Sequence, residues 1–327
     1  MKYRQWLISI VLGCMTVVPA VAQWDPEHPA TGNLRFTWIH GSISAKANTD
    51  VRVQVHRYNE HTFILRQNPA IHWEAPFMYL LMGEERALLL DTGATEEAEY
   101  FPLRQVVDRV IARWQRANGV LKMPLLVMTL GSETSQIAAL GQFENRPDTV
   151  VVGNDSVLRS TVLGNDWPNK GKLDLGGRVL DVLPTPGLDE SAISVFDGWS
   201  GILFTGNTLY PGRLVIRDYP RYLESLEALT DLSREKHLRF ILGGRIEMSA
   251  EPGLDYMLRS NYRPNERSLQ LTVSDLQDAR NIVRLIDGRE DIHIHDDFIV
   301  MHGVGRGARA YGWPVYIPEQ FRKNRTR

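Results

Sequence analysis

The polar residues with the clearest chemical potential follow an apolar run in the middle of the chain. Leu125–Leu140 is predicted to form a buried strand, a polar loop and the start of a helix. Loops at such strand ends often carry functional residues. Ser132, Thr134 and Ser135 offer hydroxyl nucleophiles there. None of them has a histidine nearby in sequence and the chain has no Gly-x-Ser-x-Gly elbow, so we interpret these hydroxyls as partners for the helix start.

Metal-binding residue types are densest near the C-terminus, at His293, His295, Asp296 and Asp297. Two residues apart on a strand, the two histidines would point to the same side and could bind one ion together. A pair of histidines without a further placed ligand is a weak metal signal. We therefore favour a terminal strand that holds no metal.

Strands and helices alternate along the chain to position these groups. Two hairpins are predicted over Val51–Arg66 and Phe77–Leu90, and their long apolar runs indicate strands that are buried on both faces. A helix is predicted over Tyr100–Asn118, with apolar residues on one face and charged residues on the other.

The second half repeats this arrangement. A hairpin is predicted over Ala192–Thr205 and a helix over Tyr219–Ser233. A capping box at Ser274–Gln277 is predicted to open a helix over Leu276–Ile286, and a final strand follows over Ile292–Met301. Strands that alternate with helices in two similar halves predict an α/β fold or a layered αββα fold.

Five segments, in this order, resemble corners of the metallo-β-lactamase superfamily. They are Leu88–Gly93, Leu125–Leu140, Pro184–Gly187, Leu203–Asn207 and Ile241–Arg245. Two later segments, Gly244–Ser249 and His295–Phe298, are similar to a group of exported hydrolases in that superfamily. The resemblance implies a four-layer αββα sandwich with a cleft at one edge, where strand-end loops from both halves meet.

The resemblance also implies a metal site, because the superfamily cleft holds one or two metal ions, usually zinc, that activate water. The family ligands are a His-x-His-x-Asp-His loop, a histidine after Thr-Pro-Gly, an aspartate after Thr-Gly and a histidine after the last strand. At these positions the sequence has Gly131, Glu133, Ser135, Gln136, Leu188, Asn207 and Arg245. Glu133 alone is a good oxygen donor, and arginine cannot ligate, so we expect no zinc and no other cofactor.

A charge pair could replace the metal. Arg245 would occupy its space and pair with Glu133, with hydrogen bonds from Asn207, Gln136 and Ser135. The alternative is that these residues changed separately and point into solvent. Buried charge pairs tend to arise together, because losing one partner is costly.

Two further cleft residues follow from the resemblance. Asp91 would order the loops beside the site by hydrogen bonding. Tyr210, after the Asn207 corner, would line the cleft, with loop packing as the alternative. Trp73, Trp167 and Trp199 could also line a pocket, although aromatic residues more often lie in a core.

The N-terminus has the pattern of an export signal. Basic residues precede an apolar run over Trp6–Val18, and Ala20-Val-Ala22 is a cleavage motif, so the mature chain is expected to begin near Gln23 in the periplasm or outside the cell. A retained anchor and lipidation at Cys14, the only cysteine, are the alternatives. No other stretch is long and apolar enough to span a membrane.

The chain is thus divided into a signal peptide at 1–22, an irregular lead-in at 23–50 and one metallo-β-lactamase-like domain at 51–327. The net charge of −2 gives no reason to expect nucleic acid as a partner. The basic end at 321–327 is interpreted as a solvated tail. The expected partner is a small molecule or a protein at the cleft.

The sequence therefore predicts an exported, metallo-β-lactamase-like protein without zinc ligands, interpreted as a non-catalytic protein that binds a ligand or a partner. One alternative is an active hydrolase of ester, lactone or lactam substrates, without metal or with a relocated metal. In that case Glu133, Arg245 and Tyr210 are the candidate catalytic residues. Another is a structural role with a filled cleft.

Overall fold

The computed structural model describes residues 30–304. The predicted signal peptide, Cys14 and the basic tail lie outside this range. None of the helices between residues 30 and 304 combines the length and the apolar character needed to cross a bilayer. The described part of the lead-in is mostly irregular, and Gly41 forms an isolated bridge with Tyr262.

The first sheet contains six strands in chain order. They are β1 (Val53–Asn59), β2 (Thr62–Gln67), β3 (Phe77–Met82), β4 (Ala87–Leu90), β5 (Leu125–Met128) and β6 (Thr149–Gly153). Strands β1 to β4 pair antiparallel, whereas β4, β5 and β6 are parallel. Because parallel strands end at the same edge, the segments after β4 and β5 are brought together there.

The second half of the chain supplies nine strands. They are β7 (Gly171–Asp174), β8 (Val179–Pro184), β9 (Ile193–Asp197), β10 (Ile202–Gly206), β11 (Arg213–Ile216), β12 (Phe240–Gly243), β13 (Gln270–Leu271), β14 (Asp291–Ile294) and β15 (Ile299–His302). The second sheet has the order β13-β12-β10-β9-β8-β7, and β11-β15-β14 form a small third sheet. Strands β10 and β12 are parallel, so their ends also share one edge.

Helices cover the outer faces of both large sheets. The helices are α1 (Leu103–Asn118), α2 (Thr134–Ile137), α3 (Ser156–Leu163), α4 (Tyr219–Glu235) and α5 (Val273–Ile286), of which α1, α4 and α5 cover the outer faces. Helix α1 packs Val107 and Ile111 against the first sheet, in one cluster with Leu65 and Leu80. Helices α4 and α5 share an apolar cluster with β10 and β12 of the second sheet.

A third apolar cluster lies between the two large sheets. Tyr79 and Leu88 of the first sheet pack there in one cluster with Val195 and Phe204 of the second. All four side chains are buried, so each sheet is covered on both faces, as the unbroken apolar runs indicate. The predicted four-layer αββα sandwich is confirmed.

Two local predictions near the C-terminus were wrong. The capping box of α5 is formed by Thr272 and Asp275, not by Ser274 and Gln277, because the extended Thr272 is the residue that precedes the helix. The Thr272 hydroxyl accepts from the Asp275 N–H, and the Thr272 N–H donates to the Asp275 carboxylate. The predicted strand over Ile292–Met301 is an antiparallel pair, β14 and β15, separated by a turn.

A buried arginine joins the two sheets at the end opposite the cleft. The Arg178 guanidinium lies 2.6 Å from the Asp197 carboxylate at the end of β9. It also donates to the Thr62 hydroxyl at 2.8 Å and to the Met82 carbonyl at 3.0 Å, both in the first sheet. Because Asp197 is fully buried, its charge depends on this partner.

Arg178→Met is therefore expected to lower the free energy of unfolding by about 3–5 kcal/mol, since it leaves a buried carboxylate unpaired. Urea titration measures the change. The control is Arg234→Met on α4, where the partner Asp231 is exposed and the loss should stay below about 1 kcal/mol. Equal effects of the two substitutions would contradict the role given to Arg178.

Candidate functional site

The cleft forms where the parallel strands of both sheets end. Asp91 follows β4, the loop at 129–133 follows β5, Asn207 follows β10 and Arg245 comes soon after β12. Leu188 enters from the loop after β8. The structure thus brings together loops that are distant in sequence, as the order of the corners predicts.

Asp91 connects two loops below the cleft through hydrogen bonds. Its Oδ1 accepts from the Leu130 N–H at 2.7 Å and its Oδ2 from the Gln136 amide at 3.2 Å. Asp91 has a φ of 63°, a backbone conformation that few residues other than glycine adopt. Burial raises the pKa of Asp91 to about 7, although the bonds from Leu130 and Gln136 act in the opposite direction. Asp91 therefore connects the ends of β4 and β5 below the cleft.

Gly131 is required by close packing. A Cβ at this position would lie 2.7 Å from the Asp189 carboxylate and would also overlap the Gln136 side chain. The space in which the resemblance would place a histidine is therefore filled by two neighbouring polar groups. Gln136 is buried, and its amide is satisfied on both sides: it donates to Asp91 and accepts from Asn207.

Asp189 holds the loop after β5, a role that no sequence pattern indicated. Its carboxylate accepts from the Ser132 hydroxyl at 2.9 Å and from the Ser191 N–H at 2.9 Å. Arg159 supports the same loops from below by donating to the carbonyls of Thr129 and Ser191, both at 2.7 Å. The expectation that the loop hydroxyls satisfy the start of the helix is wrong, because α2 begins after Glu133 without a side-chain cap and the Ser132 hydroxyl donates to Asp189 instead.

The Arg245 guanidinium is the centre of the cleft. Its Nη2 lies 3.6 Å from Glu133 Oε2, so the expected pair forms. Its Nη1 makes a shorter contact with Glu74, and its Nε lies 3.4 Å from Glu247. Nη2 also donates to the Tyr210 hydroxyl at 3.1 Å, and the guanidinium carbon lies 4.9 Å from the centre of the Tyr210 ring. One cation is therefore shared by three carboxylates.

Glu133 is held by several polar groups. The Asn207 amide donates to Glu133 Oε2 at 2.8 Å and to Gln136 Oε1 at 3.3 Å. Arg217, at the rim of the cleft, donates to Glu133 Oε1 at 3.0 Å. Ser135 lies at the edge of this network, with its hydroxyl 3.5 Å from Arg245 Nη1. The corner residues therefore face one another rather than solvent.

Glu247 is fixed on its other side by Arg213. The Arg213 N–H donates to Glu247 Oε2 at 2.8 Å, and its guanidinium lies 3.4 Å from the same oxygen. Burial would raise the pKa of Glu247, but Arg245 and Arg213 together lower it below the usual value. Arg213 is paired in addition with the buried Asp255 at 2.5 Å.

Sequence reasoning missed Glu74, Glu247, Arg213 and Arg217. The alternation of an extended segment could have shown Glu247, because residues two apart, such as Arg245 and Glu247, lie on the same side. Glu74 lies in the loop between β2 and β3, 171 residues before Arg245, and has no comparable signal.

An open cavity of about 230 Å³ lies beside this network. Tyr210 and Leu188 line it, as do the charged groups around Arg245. The other apolar lining residues are Trp73, Val215, Leu258 and Met301. The volume is below the range of about 300–1,000 Å³ that is usual for drug-sized ligands, so the cavity suits a smaller molecule.

Trp167 and Trp199, which were also considered as pocket residues, have structural roles. Trp167 packs against the cluster between the sheets. The Trp199 ring lies under Arg178, with 4.8 Å from its centre to the guanidinium carbon. Of the three candidates, Trp73 alone lines the cleft cavity.

The donor set of the cleft does not fit a zinc ion. Both carboxylate oxygens of Glu133 are engaged by cations or amides, and Asn207 and Gln136 offer only neutral oxygens. Burial would lower the pKa of Arg245, but the hydrogen-bonded Tyr210 hydroxyl and the surrounding carboxylates raise it above the usual value, so this residue stays cationic where a metal would lie. A second cation at this point would be repelled.

Between residues 30 and 304, the one group of three acidic or histidine side chains close enough to share a metal is Asp275, His295 and Asp297. His293 and His295 do not share one side of a strand, because β14 ends at Ile294 and His295 lies in the turn. His295 Nδ1 already accepts the Asp297 N–H at 3.2 Å, and Asp297 Oδ1 pairs with Arg267 at 2.6 Å. His295 and Asp297 therefore already have hydrogen-bond and ion-pair partners within the protein.

No protein-family model matches the sequence, and no curated protein sequence matches it. Solved structures with similar folds include a metallo-β-lactamase from Pontibacter korlensis, at 14% identity and a TM-score of 0.49, covering 71% of this chain and 99% of that one. A metallo-β-lactamase from Hirschia baltica matches at 12% identity and a TM-score of 0.47, covering 71% and 98%.

A metallo-β-lactamase superfamily protein from Sulfolobus tokodaii matches at 15% identity and a TM-score of 0.42, covering 68% of this chain and 85% of that one. The sandwich of two six-stranded sheets that the strand-end corners imply is present in the structure itself. Likeness at such identities concerns the fold alone and carries no activity to this chain.

The raised pKa of Asp91 predicts a pH dependence of stability. Since this pKa is about 7 in the folded protein and about 3.9 in an unfolded chain, the folded state binds more protons between about pH 4 and 7. The free energy of unfolding therefore falls as the pH rises through this window. Asp91→Asn removes this term, so its stability relative to the parent should rise by about 2–3 kcal/mol from pH 5 to pH 8.

Urea titrations of both proteins at the two pH values measure this difference. Asp231→Asn, on the exposed surface of α4, is the matched control and should show no such rise. A rise of the same size in both variants would show that Asp91 is not its source.

Proposed function

From a metallo-β-lactamase fold whose cleft has a guanidinium at its centre, we propose that this protein is an exported, non-catalytic member of the superfamily that binds a small molecule in the cleft. One observation carries the proposal. Arg245 is held by Glu74, Glu133 and Glu247, while an open cavity remains beside it.

Loss of metal chemistry follows from the properties of the central cation. A zinc site needs imidazole, thiolate or carboxylate donors around an open position for water. Here Arg245 donates hydrogen bonds instead of accepting a metal, and it cannot lower the pKa of a bound water as zinc does. The groups at the corner positions serve to hold this arginine in place.

Ligand binding is supported by the state of the cavity walls. The charged side chains are already oriented by ion pairs, so little side-chain freedom remains to be lost when a ligand enters. Apolar side chains, including Trp73 and Leu188, supply surface that gains from being covered. The open volume also argues against a purely structural protein with a filled cleft.

A metal-free hydrolase is the second candidate, and one observation favours it. Burial raises the pKa of Glu74, whereas the arginines beside Glu247 lower the pKa of that residue. Carboxylates with pKa values shifted in opposite directions are typical of acid–base catalysis. Turnover of ester or lactam substrates that is lost in Glu133→Ala would favour this candidate.

Export is proposed from the N-terminal pattern alone. The cleavage motif at residues 20–22 predicts that the secreted or periplasmic protein begins at Gln23. N-terminal sequencing of the exported protein would test this, and a lipid-modified Cys14 at the new terminus would contradict it.

The purified mature protein should hold almost no zinc after equilibration with zinc and removal of the excess, because the cleft offers one engaged carboxylate and a fixed cation. Elemental mass spectrometry measures the occupancy. Arg245→His should not restore binding, since a single imidazole leaves the other ligands missing. Stoichiometric zinc in the parent protein would contradict the proposal.

Small molecules should bind saturably in the cleft without being turned over. A fragment library screened by ligand-observed NMR should yield binders that are lost in Val215→Trp, because the larger side chain occupies the cavity. Val157→Trp on α3, where the valine is 71% exposed, is the matched control and should keep them. A library without any fragment lost specifically in Val215→Trp would overturn cleft binding.

A further inference from the structure

We propose that the outer face of helix α1 is a docking surface for a membrane that contains anionic lipids. The contact is electrostatic and peripheral, with arginine side chains of the helix binding the charged headgroups. This surface is separate from the cleft, so the inference does not depend on the proposed ligand-binding function. It follows from the arrangement of arginines on α1 and from the charges around them.

Three arginines of α1 lie along the exposed face of the helix. Arg109, Arg113 and Arg116 are spaced four and three residues apart, so they are neighbours on one side of the helix. All three are exposed, whereas the opposite face of α1 buries Val107 and Ile111. At 1.5 Å per residue, the line they form is about 10 Å long. These three residues are called the arginine row below.

The arginine row is not neutralised by ion pairs. Within the part of the chain that the structure describes, none of its guanidinium groups pairs with a carboxylate. Asp108, the one acidic residue of α1, lies 2.7 Å from Arg146 and 3.7 Å from Arg104. Beyond the helix, Asp148 is paired with Lys122 at 2.8 Å. Both carboxylates therefore compensate other cations, and the row keeps its positive charge.

Arginines on the outer faces of the other long helices have partners. On α4, Arg234 pairs with Asp231 at 2.7 Å, and on α5, Arg284 pairs with Glu227 at 2.5 Å. Helix α1 instead carries four arginines and one aspartate, although the whole chain has a net charge of −2. The charge is thus distributed unevenly, and a local excess of positive charge attracts anionic surfaces.

Other charges near α1 leave this excess in place. The β1–β2 hairpin, which contacts α1, exposes one residue of each sign, Arg57 and Glu60. The acidic residues at 96–99 and Glu144 belong to segments beside the first turn of α1. Arg109 lies six residues further along, about 9 Å from the start of the helix. This separation is close to the Debye length of about 8 Å at physiological ionic strength, so the repulsion of an anionic surface by these carboxylates is weakened at the row.

A lipid headgroup layer suits the arginine row better than a folded protein does. Protein interfaces have an apolar core from which charged residues are depleted, and the exposed face of α1 is charged and polar. Leu121, in the turn beyond the helix, is 100% exposed and is too small to form such a core. Anionic headgroups need no apolar core, because each arginine near their surface contributes about 1 kcal/mol. A single leucine is also tolerated there, since apolar side chains enter the acyl boundary.

Vesicle partitioning tests the proposal. The purified mature protein is mixed with vesicles of phosphatidylcholine, either alone or with an equal part of phosphatidylglycerol, and the bound fraction is sedimented. We expect binding to the vesicles that contain phosphatidylglycerol and none to phosphatidylcholine alone. Raising the salt concentration should weaken this binding, because mobile ions screen the attraction.

Replacing the arginine row by glutamine should weaken binding about a hundredfold, since three arginines at about 1 kcal/mol each correspond to about two factors of ten. This variant combines Arg109→Gln, Arg113→Gln and Arg116→Gln. Replacing the same three residues by lysine keeps the charge and should keep the binding. All three positions are exposed, so both variants are expected to fold, and circular dichroism checks this.

The matched control removes three arginines from α4 and α5 and changes the net charge by the same amount. It combines Arg234→Gln, Arg280→Gln and Arg284→Gln. This control should bind like the parent protein. An equal loss in the two glutamine variants, or no binding of the parent to anionic vesicles, would overturn the proposal. Binding to polyglutamate that requires the arginine row, without binding to vesicles, would also overturn it and assign the row to an acidic protein.

Discussion

The cleft depends on one interaction, the contact of the Arg245 guanidinium with the carboxylates of Glu74, Glu133 and Glu247. The Arg245 side chain is only 12% exposed, so none of these charges is fully hydrated. A buried charge is tolerated when its partners remain, and removing one partner costs far more than the pair contributes. The arginine and its carboxylates therefore behave as one unit, and the loops that carry them are held in one arrangement.

The loops below this unit are packed too closely for a single substitution to create a metal site there. Asp91 and Gln136 connect the ends of the first-sheet strands, and Asp189 closes the loop over Gly131. A side chain larger than hydrogen at Gly131 would displace both Gln136 and Asp189. Hydrogen bonds among the chain's own side chains therefore fill the space around Gly131.

The position of the cleft is set by the fold, and its chemistry is set by the side chains. Parallel strands of both sheets end at one edge, so loops from distant parts of the chain always meet there. In this chain those loops present guanidinium and carboxylate groups beside apolar surface. Fold alone does not decide between ligand binding and activation of water, so the side chains of these walls carry the proposed function.

The layers and the corner residues were predictable from the sequence, because apolar periodicity and strand-end motifs are local. Long apolar runs indicated strands covered on both faces, and the order of the corners located Glu133, Asn207 and Arg245 in one cleft. Glu247 could also have been predicted, because it lies only two residues after Arg245 in an extended segment. The partner Glu74 was decided only by tertiary structure, because a contact across 171 residues depends on how two loops pack and leaves no periodic trace in the chain.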